Sequence, residues 1–369
     1  MMYRNIFLMF IFFVLLCSGS KCSSTVQSNG SNEASADSVK TILKGLNYPW
    51  EILWGKDDYI WMTEREGKIS KVDPVTGKII FSASIAEVES RNEGGMLGMV
   101  QHPDFLTNGL FYVVYNYESS NGYREKMVQM KFENGSIKPG KTLIENIPAS
   151  SIHNGSRLWI DNDKIFMTTG DAANQPNAQR TTSFSGKVLR FNLDGSIPAD
   201  NPFPGSVVWS YGHRNQQGLV VANGIMYASE HGPNEEDEIN IVEKKRNYGW
   251  PAVNGPCDEN GEKTFCDANN VKEPIWSSGN NTLAVCGMDY YSSNLIPAWN
   301  NSLLMCTLKD ASLRVLTLSK DGLSVTSPKT FFKNRFGRLR DICISPAGKV
   351  YICTSNGGNE DLLVEISKP

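Results

Sequence analysis

The sequence predicts an all-β protein, a six-bladed β-propeller of four-stranded antiparallel blades. A recurring motif, blade-like spacing and a turn-rich, aromatic-rich composition carry that prediction. The motif joins an apolar segment, a polar turn, an aromatic-rich run and a small polar stretch. It reads most clearly as ILWGKDDYIWMTEREGKISKVD from Ile52. It returns as RLWIDNDKIFMTTGD from Arg157, GLVVANGIMYASEHG from Gly218 and DICISPAGKVYICTSNG from Asp341, with looser copies from Asn108 and Asn300. The central bulky residues Trp61, Tyr112, Phe166, Tyr227, Leu304 and Tyr351 are separated by 51, 54, 61, 77 and 47 residues. Such gaps suit a four-stranded blade with variable loops. Asn162-Asp163, Asn223-Gly224 and Ala347-Gly348 supply hairpin turns between alternating runs. The 32 Gly, 16 Phe, 13 Tyr and 8 Trp fit tight turns around packed sheets. A β-sandwich, or two unrelated β domains, is the alternative; six copies favour the ring.

Taken in order, residues 1–20 read as a secretory or lipoprotein signal, 21–40 as a flexible tether and 41–369 as the propeller. Arg4 precedes an apolar run from Ile6 to Leu16, followed by Ser18-Gly19-Ser20. A basic start, a short apolar centre and small residues direct export, and the run is too short to span a bilayer. Cleavage near Ser20 and a lipid anchor on Cys17 or Cys22 both stay open, so the expected location is periplasmic or extracellular, with any membrane attachment through lipid. The stretch from Val39 to Leu46 precedes the first copy and is placed to pair with the last blade, hiding its edge. The apolar share of 40% excludes a wholly disordered chain, and a net charge of -3 offers no footprint for nucleic acid. Six cysteines remain beyond the leader. Cys257–Cys266 pairs most readily by spacing, while Cys286 with Cys306 and Cys343 with Cys353 could each face across a hairpin; disulfides and buried thiols are both open.

In such a ring the first β run of each blade lines the axis, and its flanking loops converge at one mouth. Polar clusters fall in those loops. His153 precedes a strand in SIHNGSR, and a histidine there is a candidate proton acceptor as readily as a structural residue. The run from Tyr211 to Gly218 is dense in donors. Arg338 and Arg340 alternate and so point to one side of a strand, with Arg335 and Lys309 nearby in sequence or in the preceding blade. Converging cations call for an anionic ligand, or for a partner such as Asp341. The loop from Ser229 to Glu238 combines carboxylates, Gly and Pro, which suits a hard cation such as Ca²⁺ or simply an acidic surface.

These segments together resemble the soluble glucose/aldose sugar dehydrogenases that use pyrroloquinoline quinone (PQQ). The landmarks are GGMLGMVQHPDF from Gly94, HNGSRL from His153, SGKVLRFNLDGSIPADNPF from Ser185, GHRNQQGL from Gly212, EHGPNEEDEIN from Glu230, NYGWP from Asn247, LKD from Leu308 and RLRD from Arg338. The shorter loops resemble the aldose sugar dehydrogenase branch. The resemblance implies an oxidoreductase that converts the anomeric carbon of aldose sugars to lactones, with hydride transfer to the quinone. It implies His153 as general base, Arg214 as a catalytic and cofactor-binding cation, and Glu93, Asn215, Lys309, Arg338 and Arg340 as further cofactor-binding or wall residues. It implies Ca²⁺ on the carbonyls of Gly232 and Pro233, a second calcium at Glu238 and the Tyr248 carbonyl, and a separate electron acceptor. Three departures stand out: Ile152 replaces an Asp of the glucose-specific members, Glu93 replaces a Gln, and Cys286 stands where Ser is common. Other readings on the same ring are a non-catalytic extracellular propeller binding glycan or protein, and a calcium-dependent lactone hydrolase. The latter predicts acidic rather than basic side chains at the mouth.

Overall fold

The computed structural model describes residues 38–368. The expected signal at 1–20, Cys17, Cys22 and nearly all of the 21–40 tether lie outside those residues. The first strand, β1 (Ser38–Leu46), opens inside the stretch assigned to the tether.

Six four-stranded antiparallel sheets follow. The first holds β2 (Pro49–Trp54), β3 (Ile60–Glu64), β4 (Lys68–Val72) and β5 (Ile79–Ser84). The second holds β6 (Met96–Gln101), β7 (Leu110–Ser119), β8 (Gly122–Glu133) and β9 (Ser136–Pro148). The third holds β10 (Gly155–Asp161), β11 (Lys164–Thr169), β12 (Lys187–Asn192) and β13 (Val208–Tyr211). The fourth holds β14 (Gln216–Ala222), β15 (Ile225–Glu230), β16 (Glu238–Ile241) and β17 (Trp276–Ser277). The fifth holds β18 (Val285–Tyr291), β19 (Ser302–Thr307), β20 (Leu313–Leu318) and β21 (Val325–Phe331). The sixth holds β22 (Leu339–Ile344), β23 (Val350–Thr354) and β24 (Asp361–Lys368), and β1 completes it. That pairing, Val39 opposite Ile366 and Lys44 opposite Leu362, ties the two ends of the domain into one sheet.

Each first strand packs against the first strands of its two neighbours, so β2, β6, β10, β14, β18 and β22 close a ring around one axis. All six motif anchors fall on the second strand of a blade, and all are buried. There they fill the space between sheets: Trp61 meets Phe105 and Phe132 edge-on at 5.5 and 5.1 Å. Burying a side chain of that size contributes roughly 1.5–3 kcal/mol, which explains why bulk recurs at this position. Cys257 and Cys266 form a disulfide. Cys286, Cys306, Cys343 and Cys353 are buried free thiols, so the two cross-hairpin pairings do not form. Register explains this: Cys343 faces Tyr351 and Cys353 faces Asp341, while Cys286 lies in a bulge out of step with Cys306.

The bulge in β18 has five counterparts. Every first strand shifts register near its start: at Glu51, between Met96 and Met99, between Gly155 and Leu158, before Gly218, between Val285 and Met288, and before Asp341. A bulge re-aims side chains, and here one level of the ring carries Glu51, Gly98, Arg157, Gly218, Gly287 and Asp341. Arg157 reaches Glu51 Oε2 at 2.7 Å and Asp341 Oδ2 at 3.0 Å, and its Nε donates to the Gln217 carbonyl at 3.0 Å. Glycine leaves the room: a Cβ on Gly287 would lie 1.7 Å from Asp341 Oδ1, and one on Gly98 2.0 Å from the Ser156 carbonyl. This charged plug separates two mouths.

Candidate active site

The residues one step before the plug open onto the first mouth. Trp50, Leu97, Gln217 and Arg340 line a cavity of about 270 Å³, together with Arg65, Glu93, Asn215, His231 and Arg338. The loops that complete it enter first strands or leave second strands, as the repeat requires. Arg338 and Arg340 both face this space, matching their alternation. Arg340 is buried, and its Nη1 contacts Gln217 Oε1 at 3.0 Å and Cys286 Sγ at 3.4 Å. Its Nε has no partner among the described residues. Arg65 lies with its guanidinium carbon 3.9 Å from the Tyr48 ring centre and donates to the Asn92 carbonyl. Burial, then the nearby Arg340 charge, lowers the pKa of Arg65. Glu93 is the one carboxylate among the lining residues. A partly buried basic cavity with unused N–H groups is suited to an anionic ligand carrying several oxygens.

His153 stands at the edge of this cavity, between the lining residues Asn154 and Gly155 on one side and Asp171 behind. Its φ of 59° is left-handed, and its backbone N–H donates to Glu93 Oε2 at 3.2 Å. Its Nδ1 is 2.8 Å from Asp171 Oδ1. Asp171 is fully buried and also accepts from Trp250 Nε1 at 2.9 Å and the Ala173 N–H at 2.8 Å. A carboxylate only accepts, so Nδ1 is the donor to Asp171, which leaves Nε2 as the ring nitrogen available for proton transfer. Beneath the loop, Ser156 Oγ donates to Glu125 Oε2 at 2.7 Å. Burial pushes the Glu125 carboxyl up to about 8.

Arg214 flanks the cavity rather than lining it. Its Nη1 donates to the His231 carbonyl at 3.3 Å, its guanidinium lies 5.4 Å from the Trp250 ring centre, and its Nε is unpartnered. His231 is half-buried, its Nε2 enclosed and without a partner among the described residues, and desolvation followed by the Arg214 charge pushes its pKa down to about 3. Asn215 lines the cavity while its Oδ1 accepts from the Gly155 N–H at 3.1 Å. Lys309 is exposed and only its neighbour Leu308 reaches the lining, and Arg335 is likewise outside it.

The Gly232–Pro233 turn directly follows His231. Asp237 Oδ1 accepts the Gly232 N–H at 3.0 Å, and the turn is so tight that a Cβ on Gly232 would lie 1.7 Å from the Glu235 carbonyl. Glu238 and Tyr248 lie behind the mouth, outside its lining. Glu238 accepts from Asn240 Nδ2 at 2.7 Å and the Gly255 N–H at 2.8 Å. Burial and then the adjacent Glu230 charge raise its pKa. His213 bridges this layer, stacking on Tyr248 at 4.2 Å and placing Nδ1 2.9 Å from Glu230 Oε2. Among the described residues no group of three or more His, Cys, Asp or Glu side chains is arranged to hold a metal.

Sequence reasoning gave no role to Arg65, Asp171 or Trp250, and touched Gln217 only as part of the donor-dense run from Tyr211 to Gly218. Arg65 and Asp171 both follow the second strand of a blade, as do His231, Leu308 and Ser355. That shared position in the repeat was the available signal.

The sequence model of one family, described as Glucose / Sorbosone dehydrogenase, matches residues 46–364. Quinoprotein glucose dehydrogenase B of Acinetobacter calcoaceticus is 32% identical, over 87% of this chain and 86% of its own. Aldose sugar dehydrogenase YliI of Escherichia coli is 28% identical, over 88% and 92% of the two chains. Among solved structures, the PQQ-bound aldose sugar dehydrogenase of Streptomyces coelicolor superposes with a TM-score of 0.78 at 29% identity, covering 89% of this chain and 98% of that one.

Proposed function

Because the chain belongs to the glucose/sorbosone dehydrogenase family, we propose that it is a PQQ-dependent oxidoreductase that converts the anomeric carbon of aldose sugars to lactones. The observation that carries this reading is the His153–Asp171 pair at the edge of a cavity rich in arginine. Bound there, PQQ supplies a two-electron hydride acceptor and carboxylates that ask for cations. Arg338, Arg340 and Asn215 would hold it, and the unpartnered buried Nε of Arg340 and Nε2 of His231 fit a ligand rich in oxygens. Arg214 stands beside the same wall, where its charge would stabilise negative charge developing in the reaction. Lys309 would reach the cofactor only from the exposed rim.

The chain's own contribution begins with positioning. Asp171, fixed by Trp250 and Ala173, holds the His153 ring so that Nε2 accepts the proton of the anomeric hydroxyl. Glu93, bound to the His153 N–H, shapes the wall against the sugar. The carbonyls of Gly232 and Pro233 would offer oxygen ligands to Ca²⁺, which acts as a Lewis acid; Glu238 and the Tyr248 carbonyl would hold a second, structural ion. A separate electron acceptor completes the cycle.

Export would follow from the signal at residues 1–20, with the enzyme periplasmic, extracellular or lipid-anchored through Cys17 or Cys22. Among the described residues no helix is long and apolar enough to cross a membrane.

The test is reconstitution of purified protein with PQQ and Ca²⁺, followed by dye reduction with a panel of mono- and disaccharides. Aldose-dependent turnover that requires PQQ is expected. Absence of both turnover and cofactor binding would remove this reading.

A further inference from the structure

The second mouth of the ring is chemically unlike the first. Beyond the Glu51–Arg157–Asp341 plug, the axis widens into a cavity of about 210 Å³. It shares Leu53, Trp54, Val100 and Trp159 with a wider cavity of about 500 Å³ at the surface. That size is typical of small-molecule sites. Trp54 and Trp159 come from different blades, and both are half-buried, so both keep ring surface open to this space. Gln101 lines the same wall. It is only 6% exposed, its Oε1 accepts the Lys56 N–H at 2.8 Å, and its Nε2 has no partner among the described residues. A buried amide N–H₂ without an acceptor is costly and calls for a missing oxygen. The charged lining residues of the outer cavity are one cation, Lys56, and one anion, Asp163; the inner one meets Arg157 with Glu51, Asp289 and Asp341.

We propose that this distal mouth is a second carbohydrate-binding site, taking a neutral saccharide between Trp54 and Trp159 with a ring oxygen or hydroxyl on Gln101 Nε2. A pyranose has an apolar C–H face and a polar edge. The face matches the indoles, and the edge matches the amides of Gln101 and Asn162 and the carboxylate of Asp163. An ionic ligand finds balanced charges in the outer cavity, an anion meets carboxyl groups in the inner one, and a purely apolar ligand leaves the Gln101 N–H₂ unmet. The continuous axial cavity gives room for more than one sugar ring. The plug cuts this site off from the His153 mouth, so a saccharide held here is not the one being oxidised. It would hold the protein on a glycan while the other mouth works.

The experiment uses the apo-protein, without PQQ, titrated calorimetrically with maltotriose, cellotriose and xylotriose, and with glycerol as a polyol lacking a ring face. At least one trisaccharide should bind saturably and glycerol should not. Trp159→Leu should weaken binding at least tenfold. Gln101→Met, which keeps the side chain's shape if the indole change disturbs folding, should do the same. Arg340→Met, at the opposite mouth, should leave it unchanged. No binding of any trisaccharide, binding indifferent to both distal substitutions, or binding lost with Arg340→Met would each overturn the proposal.

Discussion

The two mouths of this ring are built from the same six strands, yet they differ in almost every chemical respect. One is lined by Arg65, Arg338 and Arg340 against a single carboxylate, Glu93. The other is lined by Trp54, Trp159 and amides, with Lys56 balanced by Asp163. Only a few residues along each first strand separate them, with the Glu51–Arg157–Asp341 layer between. The lesson is that a bulge at one level of all six strands partitions a continuous barrel-like axis into independent sites. Side chains before the bulge serve the basic mouth, and those after it the aromatic one.

The comparison is broken most severely at the basic mouth by removing its proton acceptor. His153→Ala should lower kcat of the PQQ-reconstituted enzyme by about 10²–10⁴, the range for a positioned general base. Steady-state kinetics check this, and cofactor affinity should hold because His153 lies at the cavity edge rather than in its lining. Equal loss from Trp54→Phe at the far mouth would erase the distinction between the two.

A second prediction concerns the wall behind His153. Burial holds Glu125 protonated up to about pH 8, whereas an unfolded carboxyl ionises near 4.3. The folded state therefore keeps a proton that the unfolded state has lost across that window. The stability from this group is fully present below about pH 4.3 and disappears as pH rises through about 8, at roughly 1.4 kcal/mol per pH unit where the slope is steepest. Glu125→Gln cannot ionise, so its stability relative to the parent should climb between pH 5 and pH 8. Denaturant melts at the two pH values measure it; parallel pH profiles would contradict it.

The smallest effect expected lies outside both mouths. Cys257–Cys266 closes a short loop, with a sequence separation of 9, for which chain entropy suggests about 2–3 kcal/mol. Cys257→Ser should lower stability by that order and leave turnover at low temperature nearly intact. A change in saccharide binding at the far mouth would be unexpected.

Much of this fold was legible in the chain because its strongest signal is also its physics. The anchors from Trp61 to Tyr351 recur since each second strand must fill the gap between adjacent sheets, and Val39–Leu46 reads as a closing strand because an exposed edge needs a partner. Arg338, Arg340, Asn215 and Glu93, which line the basic cavity, could be singled out as candidates through their motifs. Arg65 was not, because EREG in a turn looks like any solvated loop until its place in the repeat is compared with Asp171 and His231. The plug was invisible: it depends on a register shift that leaves no periodic trace, and on Gly287 leaving room beside Asp341 and Arg157. Lys309 reads as part of the clamp in the chain but turns to solvent, since Leu308 takes the lining position. Cys257–Cys266 forms as its spacing suggests, whereas the Cys286–Cys306 and Cys343–Cys353 pairings fail through register.

The claim that the basic mouth is the cofactor site is tested most directly by equilibrium titration of PQQ, with Ca²⁺ present, into apo-protein and its Arg340→Met variant. Binding of one PQQ per chain is predicted, weakened roughly 10–100-fold in the variant, as expected for loss of a charge-assisted hydrogen bond of about 1.5–3 kcal/mol. Equal affinity in the two proteins, or no binding to either, would contradict the assignment.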